Sequence, residues 1–423
     1  MKITANRAIS LFIFFITISY TGIFAGYHGC LALICCFILL FLFALSVGLF
    51  HINLRFCSPL WLLLFLHLCL NCWLNIPKSF LYIILFCGSI LVMIRVTDAR
   101  EIECIIKLFK IAAVILAGSI LLQAYMPTFF YAFAVKWFFY SNQYDIMLHL
   151  GNGCHQYAGL FYEVSFSALI LSIGCIICFT ELNFNKCGRI KNLLMIMLMY
   201  YGVILTGKRS FMLILPVLLS AFWIFSSYGN ISLMRIIVIF GFVFVLFWKA
   251  DTVFSLISNI LTKGQGSTIE LSSREQYWRL ALDMFQENWF MGNGVNSFDI
   301  RFNMAGIKKT ELDFAGAHNS YIQLLAETGI IGTFLYVSGI FTVILSGLRE
   351  MSFRYKKYNQ KMVYNSMSVL ILFLIMIYGI TGNVLYQPQQ VIMVFLFLGM
   401  ILNIKKINHS DFKRKSKIRL VLR

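Results

Sequence analysis

Apolar runs near the ~20 residues that a bilayer-crossing helix needs recur along most of the chain, separated by short polar connections. The pattern predicts twelve spans, at roughly 8–25, 31–50, 59–76, 79–94, 106–123, 164–182, 192–206, 210–228, 233–249, 325–346, 364–382 and 388–404. Pro77 divides the third span from the fourth, and a re-entrant hairpin is the alternative there. The seventh span is short and meets the eighth through a tight turn. The expected fold is therefore an all-α polytopic membrane protein of about twelve helices.

One long stretch breaks the pattern. Residues 249–328 hold nine of the 17 acidic residues of the protein, from Asp251 to Glu327. The division that follows is membrane helices over 1–249, a catalytic loop over 250–324, membrane helices over 325–404 and a basic tail over 405–423. Within the loop, Ser272-Ser273-Arg274-Glu275 has the hydroxyls of a helix start. Tyr277, Leu280, Ala281, Met284 and Phe285 then recur at helical spacing. Gly292-Asn293-Gly294 ends that helix in a turn. His318 precedes a second helical pattern, Tyr321, Leu324 and Leu325, that runs on into the tenth span.

Composition agrees with a membrane domain. The chain is 60% hydrophobic and 12% charged, where soluble domains carry about 25% charge. The net charge of +18 does not point to nucleic acid, because no basic soluble domain exists to bind it. The Lys and Arg residues lie between spans and in the tail, where they set orientation and meet anionic headgroups. Arg55, Arg95, Arg100, Lys186, Arg189, Lys191, Arg349, Arg354 and the tail fall on one side. By the positive-inside rule that side is cytoplasmic, both termini lie there, and the long loop is extracytoplasmic. The 12 Cys form no metal or disulfide pattern; Cys175 and Cys178 have CxxC spacing but sit mid-span, as packing residues. The long loop has no Cys and must hold together without disulfides.

One turn departs from the charge rule. Thr206-Gly207-Lys208-Arg209-Ser210 lies on the outer side yet carries two adjacent cations. Interfacial snorkelling is the plain alternative; a fixed cationic site is the functional one. A second outer segment, 124–163, is rich in aromatic residues, suits the interface, and ends at Glu163, which at the edge of a span needs a partner or water and serves as a functional residue or as a structural anchor. His318 sits at a helix N-terminus, where the dipole disfavours an imidazolium and so favours the neutral ring that a general base requires. The planar fork of arginine suits diphosphate oxygens. Glycosyl transfer from a lipid diphosphate needs charge neutralisation on the leaving group, a base for the acceptor hydroxyl, and orientation of both. The sequence offers each without an evident metal site or cofactor, Glu311 and Asp313 being the one weak acidic pair near His318.

These residues resemble the O-antigen ligase and O-antigen polymerase superfamily of bacterial surface-glycan enzymes. His318-Asn319, nine residues, then Gly329-x-x-Gly332 looks like that family's His-Asn-x9-Gly-x-x-Gly motif. Arg209-Ser210-Phe211-Met212-Leu213 is similar to its Arg-x3-Leu motif. Arg274, ahead of Tyr277-Trp278 and the Gly292-Asn293-Gly294 turn, looks like its loop arginine. The resemblance covers about 195–335. It implies a fold of about twelve helices with a large periplasmic loop, an undecaprenyl-diphosphate-linked glycan donor, and metal-independent transfer at the inner membrane. By that carry-over Arg209 and Arg274 hold the diphosphate and His318 activates the acceptor. Lys208 is added from its charge position. Asn319, Tyr277 and Glu163 are the further expected substrate-binding residues.

Superfamily members differ in acceptor. The aromatic outer segment and Glu163 suit a second lipid-linked substrate and so favour a polymerase; transfer to lipid A-core by a ligase is the alternative. Membrane lipid is an expected partner, and a chain-length regulator is a candidate one. A flippase or other transporter would place ionisable residues within its spans, whereas here the polar chemistry is concentrated outside them. An envelope scaffold is the third class, which only activity excludes.

Overall fold

A computed structural model describes residues 13–14, 59–71, 76–95, 99–137, 148, 151, 153–161, 163–184, 188–225, 267–305, 316–353 and 360–404. Among them every regular element is a helix. In chain order these are α1 (Pro59–Leu70), α2 (Ile76–Arg95), α3 (Ala99–Tyr125), α4 (Pro127–Trp137), α5 (Val164–Phe184), α6 (Arg189–Leu205), α7 (Arg209–Phe225), α8 (Ser267–Glu287), α9 (Ser297–Met304), α10 (Ser320–Phe353), α11 (Gln360–Tyr378) and α12 (Pro388–Ile404). The expected spans at 31–50 and 233–249 lie outside the described residues, as does that at 8–25 apart from helical Ile13 and Phe14.

Four of the described helices are long and apolar enough to cross a membrane: Glu101–Tyr125, Val164–Phe184, Ser320–Met351 and Gln360–Tyr378. α7 and α12 are shorter apolar helices. α5, α11 and α12 form the centre of the bundle, with most of their side chains buried. These helices are apolar all round, as interior membrane helices must be. α3 and α10 bury about half of their surface and form the outer layer. Trp61 of α1, Phe86 of α2, Tyr336 of α10 and Phe395 of α12 interlock with ring centroids 5.2–6.4 Å apart, which ties the outer helices to the centre. One charged pair joins the helices laterally. Lys110 of α3 donates to Glu181 of α5 at 2.5 Å and to Asn192 of α6 at 2.9 Å, so both charges of this half-buried pair have a partner.

Two helices differ from expectation. α8 begins at Ser267, so Ser272 and Ser273 lie within it and Arg274 sits past its first turn, not at its start. Thr268, Ile269, Glu270 and Leu271 continue the helix backwards, and the chain does not need the two serines as a cap. α10 begins at Ser320 and contains a break at Gly329, whose φ of 62° and ψ of −169° are not helical. The segment after α8 folds against the start of α10 around its own small core of Tyr277, Ala281, Met284, Phe298, Phe302, Ala317 and Ala326. That apolar core holds the described part of the loop, which contains no cysteine.

Candidate functional site

The break in α10 is an exchange of backbone partners. Without it, Ile330 and Ile331 would donate to the carbonyls of Ala326 and Glu327. Instead Ile330 N–H donates to the Trp289 carbonyl at 2.9 Å and Ile331 N–H to that of Phe290 at 3.4 Å. The carbonyls left behind are taken up by the turn after α8: Asn293 N–H donates to Ala326 O at 3.1 Å and Gly294 N–H to Glu327 O at 2.9 Å. The next carbonyl, Thr328 O, lies 2.8 Å from Nε2 of His67 on α1. Buried backbone groups must be paired somewhere, and here three distant segments pair them jointly. The approach is close enough to exclude side chains. A Cβ at Gly292 would overlap the Glu327 carbonyl, and one at Gly329 would overlap the Phe290 carbonyl. Asn71, one turn after His67, donates to the Met291 carbonyl and accepts from Val295 N–H at 3.1 Å.

A buried carboxylate fills the centre of this joint. Glu327 accepts from the backbone N–H groups of Asn296 at 2.8 Å and Phe298 at 3.2 Å, at the start of α9, where negative charge is favoured. Gln323 donates to Glu327 at 3.2 Å, and its Oε1 accepts from Ala317 N–H at 3.1 Å. The network thus runs from the break to the residue before His318.

His318 is held in a left-handed backbone conformation, φ 52°, directly ahead of α10. Asn319 caps that helix: its Oδ1 accepts from Tyr321 N–H at 3.0 Å and Ile322 N–H at 3.2 Å. The imidazole is half-buried and stacks on Tyr277 of α8, with ring centroids 6.0 Å apart and planes 28° apart. Trp278 Nε1–H donates to the Ala317 carbonyl at 2.9 Å. Two adjacent aromatic residues of α8 therefore fix His318 from both sides of its own peptide.

The Lys208-Arg209 turn reaches the same place through the connection between α11 and α12. Ser210 Oγ and Thr381 Oγ1 are 2.9 Å apart. Ser320, two residues after His318, donates from N–H to Gly379 O at 2.8 Å and from Oγ to Gly382 O at 2.8 Å. Gln387 of the same connection donates to Glu163 at 3.0 Å, which supplies the partner that Glu163 needs. Tyr378, at the end of α11, stacks on Phe211 of α7 with centroids 4.3 Å apart. Arg274 and Glu163 both lie within electrostatic range of its hydroxyl. The Gln156 side chain packs on Gly207, and Tyr157 N–H donates to the Leu205 carbonyl at 3.1 Å, so the segment before Glu163 backs the cationic turn.

The arginines of these segments fall into two kinds. Arg279 pairs with Glu275 at 2.5 Å and Arg301 pairs with Glu287 at 2.5 Å. Arg209, half-buried, and Arg274, exposed, have no acidic partner among the described residues. A guanidinium without a carboxylate is one left for an anion from elsewhere.

Residues 194–337 match the family model described as O-antigen ligase. The chain carries a domain of the O-antigen ligase and polymerase superfamily. A search of curated proteins finds no match. The match indicates a glycosyltransferase-like enzyme of the ligase and polymerase type and supports a role in surface-polysaccharide assembly.

The superfamily segment runs from α6 to the middle of α10 and contains Lys208, Arg209, Arg274, Tyr277, His318 and Asn319. Tyr277, His318 and Asn319 are in one cluster, Lys208 and Arg209 lead into Ser210 beside it, and Glu163 joins from outside the segment through Gln387. Glu311 and Asp313 lie outside the described residues. Sequence reading missed four contributors: His67, Asn71, Trp278 as a latch, and the connection 379–387. The signal available for His67 and Asn71 was their spacing, a polar pair four residues apart on one face of an otherwise apolar helix.

Proposed function

We propose that this protein transfers a glycan from an undecaprenyl-diphosphate carrier to an acceptor hydroxyl at the extracytoplasmic face of the bacterial inner membrane, joining repeat units as a polysaccharide polymerase. The observation that carries the reading is that Arg209 and Arg274 have no acidic partner among the described residues, in segments that meet around the connection 379–387 beside His318. In this reading both guanidiniums, with Lys208, neutralise the diphosphate as the bond between it and the anomeric carbon breaks. The acceptor oxygen attacks that carbon and its proton passes to the His318 imidazole. Diphosphate leaves as the anion held by the arginines. Tyr277 orients the imidazole by stacking, and Asn319 fixes the helix start behind it. These side chains account for the chemistry without a metal or a cofactor.

The polymerase reading rests on Glu163, held by Gln387, and on the aromatic residues of the segment before it, a polar anchor and ring surface suited to a second lipid-linked substrate. The ligase reading, with lipid A-core as acceptor, is favoured by the description of the matching family. A deletion strain, complemented with wild type or with His318→Ala, separates them when its surface glycan is resolved by length. Polymerase predicts single repeat units on the lipid acceptor and loss of the long ladder. Bare acceptor with long glycan retained on the carrier indicates ligase. An unchanged ladder with both complements refutes both.

A further inference from the structure

We infer that the Trp289-Phe290-Met291 tip is a membrane anchor, inserted at the headgroup and acyl boundary of the leaflet next to the site, with bulk phospholipid as its partner. On a segment that is otherwise polar, Trp289 is 56% exposed, Phe290 51% and Met291 38%. Exposure alone would leave the occupant of this patch open. Its fastening decides the matter. The tip is clamped by backbone bonds to Ile330 and Ile331 of α10 and by Asn71 at the end of α1. α1 and α10 pack side by side, and their outward faces are apolar: Leu62, Leu66 and Leu70 on α1, and Ile330, Phe334 and Phe341 on α10, are all exposed.

The α10 face belongs to a helix long and apolar enough to cross a membrane, so those side chains meet acyl chains. The tip is bonded directly to Ile330 and Ile331 of that face and to Asn71 just past α1. It ends in a Trp and a Phe, side chains favoured at the level where hydrocarbon gives way to headgroups. A groove of about 440 Å³ opens on this face, lined by Leu325, Ile330, Phe334, Val337 and Phe341 together with the small polar Thr333 and Ser338, a mostly apolar seat of acyl-chain size. Which leaflet is entered rests on the orientation proposed above; insertion itself does not.

The experiment uses the full-length protein in phosphatidylcholine and phosphatidylglycerol vesicles, with phospholipids brominated near either the headgroup end or the methyl end of the acyl chain. The emission of Trp289 is read as the difference between wild type and Trp289→Phe. Phe290→Trp supplies a second reporter should the first variant fold poorly. The expected result is strong quenching by bromine near the headgroup end, at least twofold weaker quenching near the methyl end, and little quenching by aqueous iodide. Quenching by iodide without quenching by bromine would place the tip in water and overturn the inference. Protection from both would mean that a protein surface, such as a second copy, covers it, which overturns it equally. The readout needs no substrate, so it stands or fails independently of glycosyl transfer.

Discussion

Arg274 is exposed and Arg209 half-buried in its turn, with no carboxylate partner among the described residues, while Arg279 and Arg301 each hold one at 2.5 Å. That contrast yields a graded prediction. Arg209→Ala and Arg274→Ala should each remove the long glycan ladder from normally folded protein. Arg279→Ala and Arg301→Ala should leave it, because exposed ion pairs contribute only about 0.2–1 kcal/mol. Arg274→Lys should stay impaired, since an ammonium cannot offer two parallel N–H groups to a phosphate. Trp278→Phe keeps the ring but loses the bond to the Ala317 carbonyl. It should lower turnover severalfold with donor KM little changed, as measured with purified protein and lipid-linked donor. Arg209 was conspicuous in the sequence because it stands beside Lys208 in a turn between apolar runs, and Arg274 because it lies ahead of a glycine turn in the polar loop. That neither has a carboxylate partner among the described residues was not legible, since pairing depends on which carboxylates the fold brings near.

Among the elements, the break in α10 was the least legible. The sequence showed glycines at 329 and 332 within a helical pattern, but a glycine there reads equally as close packing. What makes it a break is a set of carbonyls on another segment and an imidazole from α1, and neither carries a spacing signal. The connection 379–387 was overlooked for a related reason: it bears no charge, and most of its contribution is backbone carbonyls and hydroxyls. The start of α8 was misplaced because hydroxyl residues cap helices and also occur inside them. The span at 388–404, by contrast, matches α12 end to end, since an apolar run following a proline has few alternatives. Gly329 has backbone angles that only glycine adopts readily, so Gly329→Ala should cost about 1–3 kcal/mol. Its melting temperature in detergent should fall accordingly. His67→Leu leaves Thr328 O without that partner and should destabilise by about 1–3 kcal/mol, the penalty for an unsatisfied buried acceptor. His67→Gln, which retains a donor, should recover part of the loss.

For the molecule as a whole, the superfamily segment is not the whole site. α1, Glu163 and the connection 379–387 lie outside residues 194–337, and each bonds to a part of the site or its supports. Thr381→Val, remote from the segment in sequence, should therefore weaken activity by loosening the Ser210 contact, as read on the glycan gel. Orientation has its own test. Impermeant thiol labelling of a cysteine placed at position 318, in a background lacking the native cysteines, should succeed from the extracytoplasmic side; labelling only from the cytoplasm would overturn the mechanism.

The joint at Gly329 also constrains how the protein can change over time. Its bonds are shared among the turn at 289–294, the start of α10 and the end of α1, so no one of the three can drift alone. A residue that straightened α10 would strand carbonyls on the turn, and a bulkier turn would strand N–H groups on α10. Descendants of this chain are thus expected to keep Gly292, Gly329, His67 and Asn71 together or to replace them together. Positions 67 and 71, at the end of an otherwise apolar helix and just past it, should then be inherited together with the candidate site.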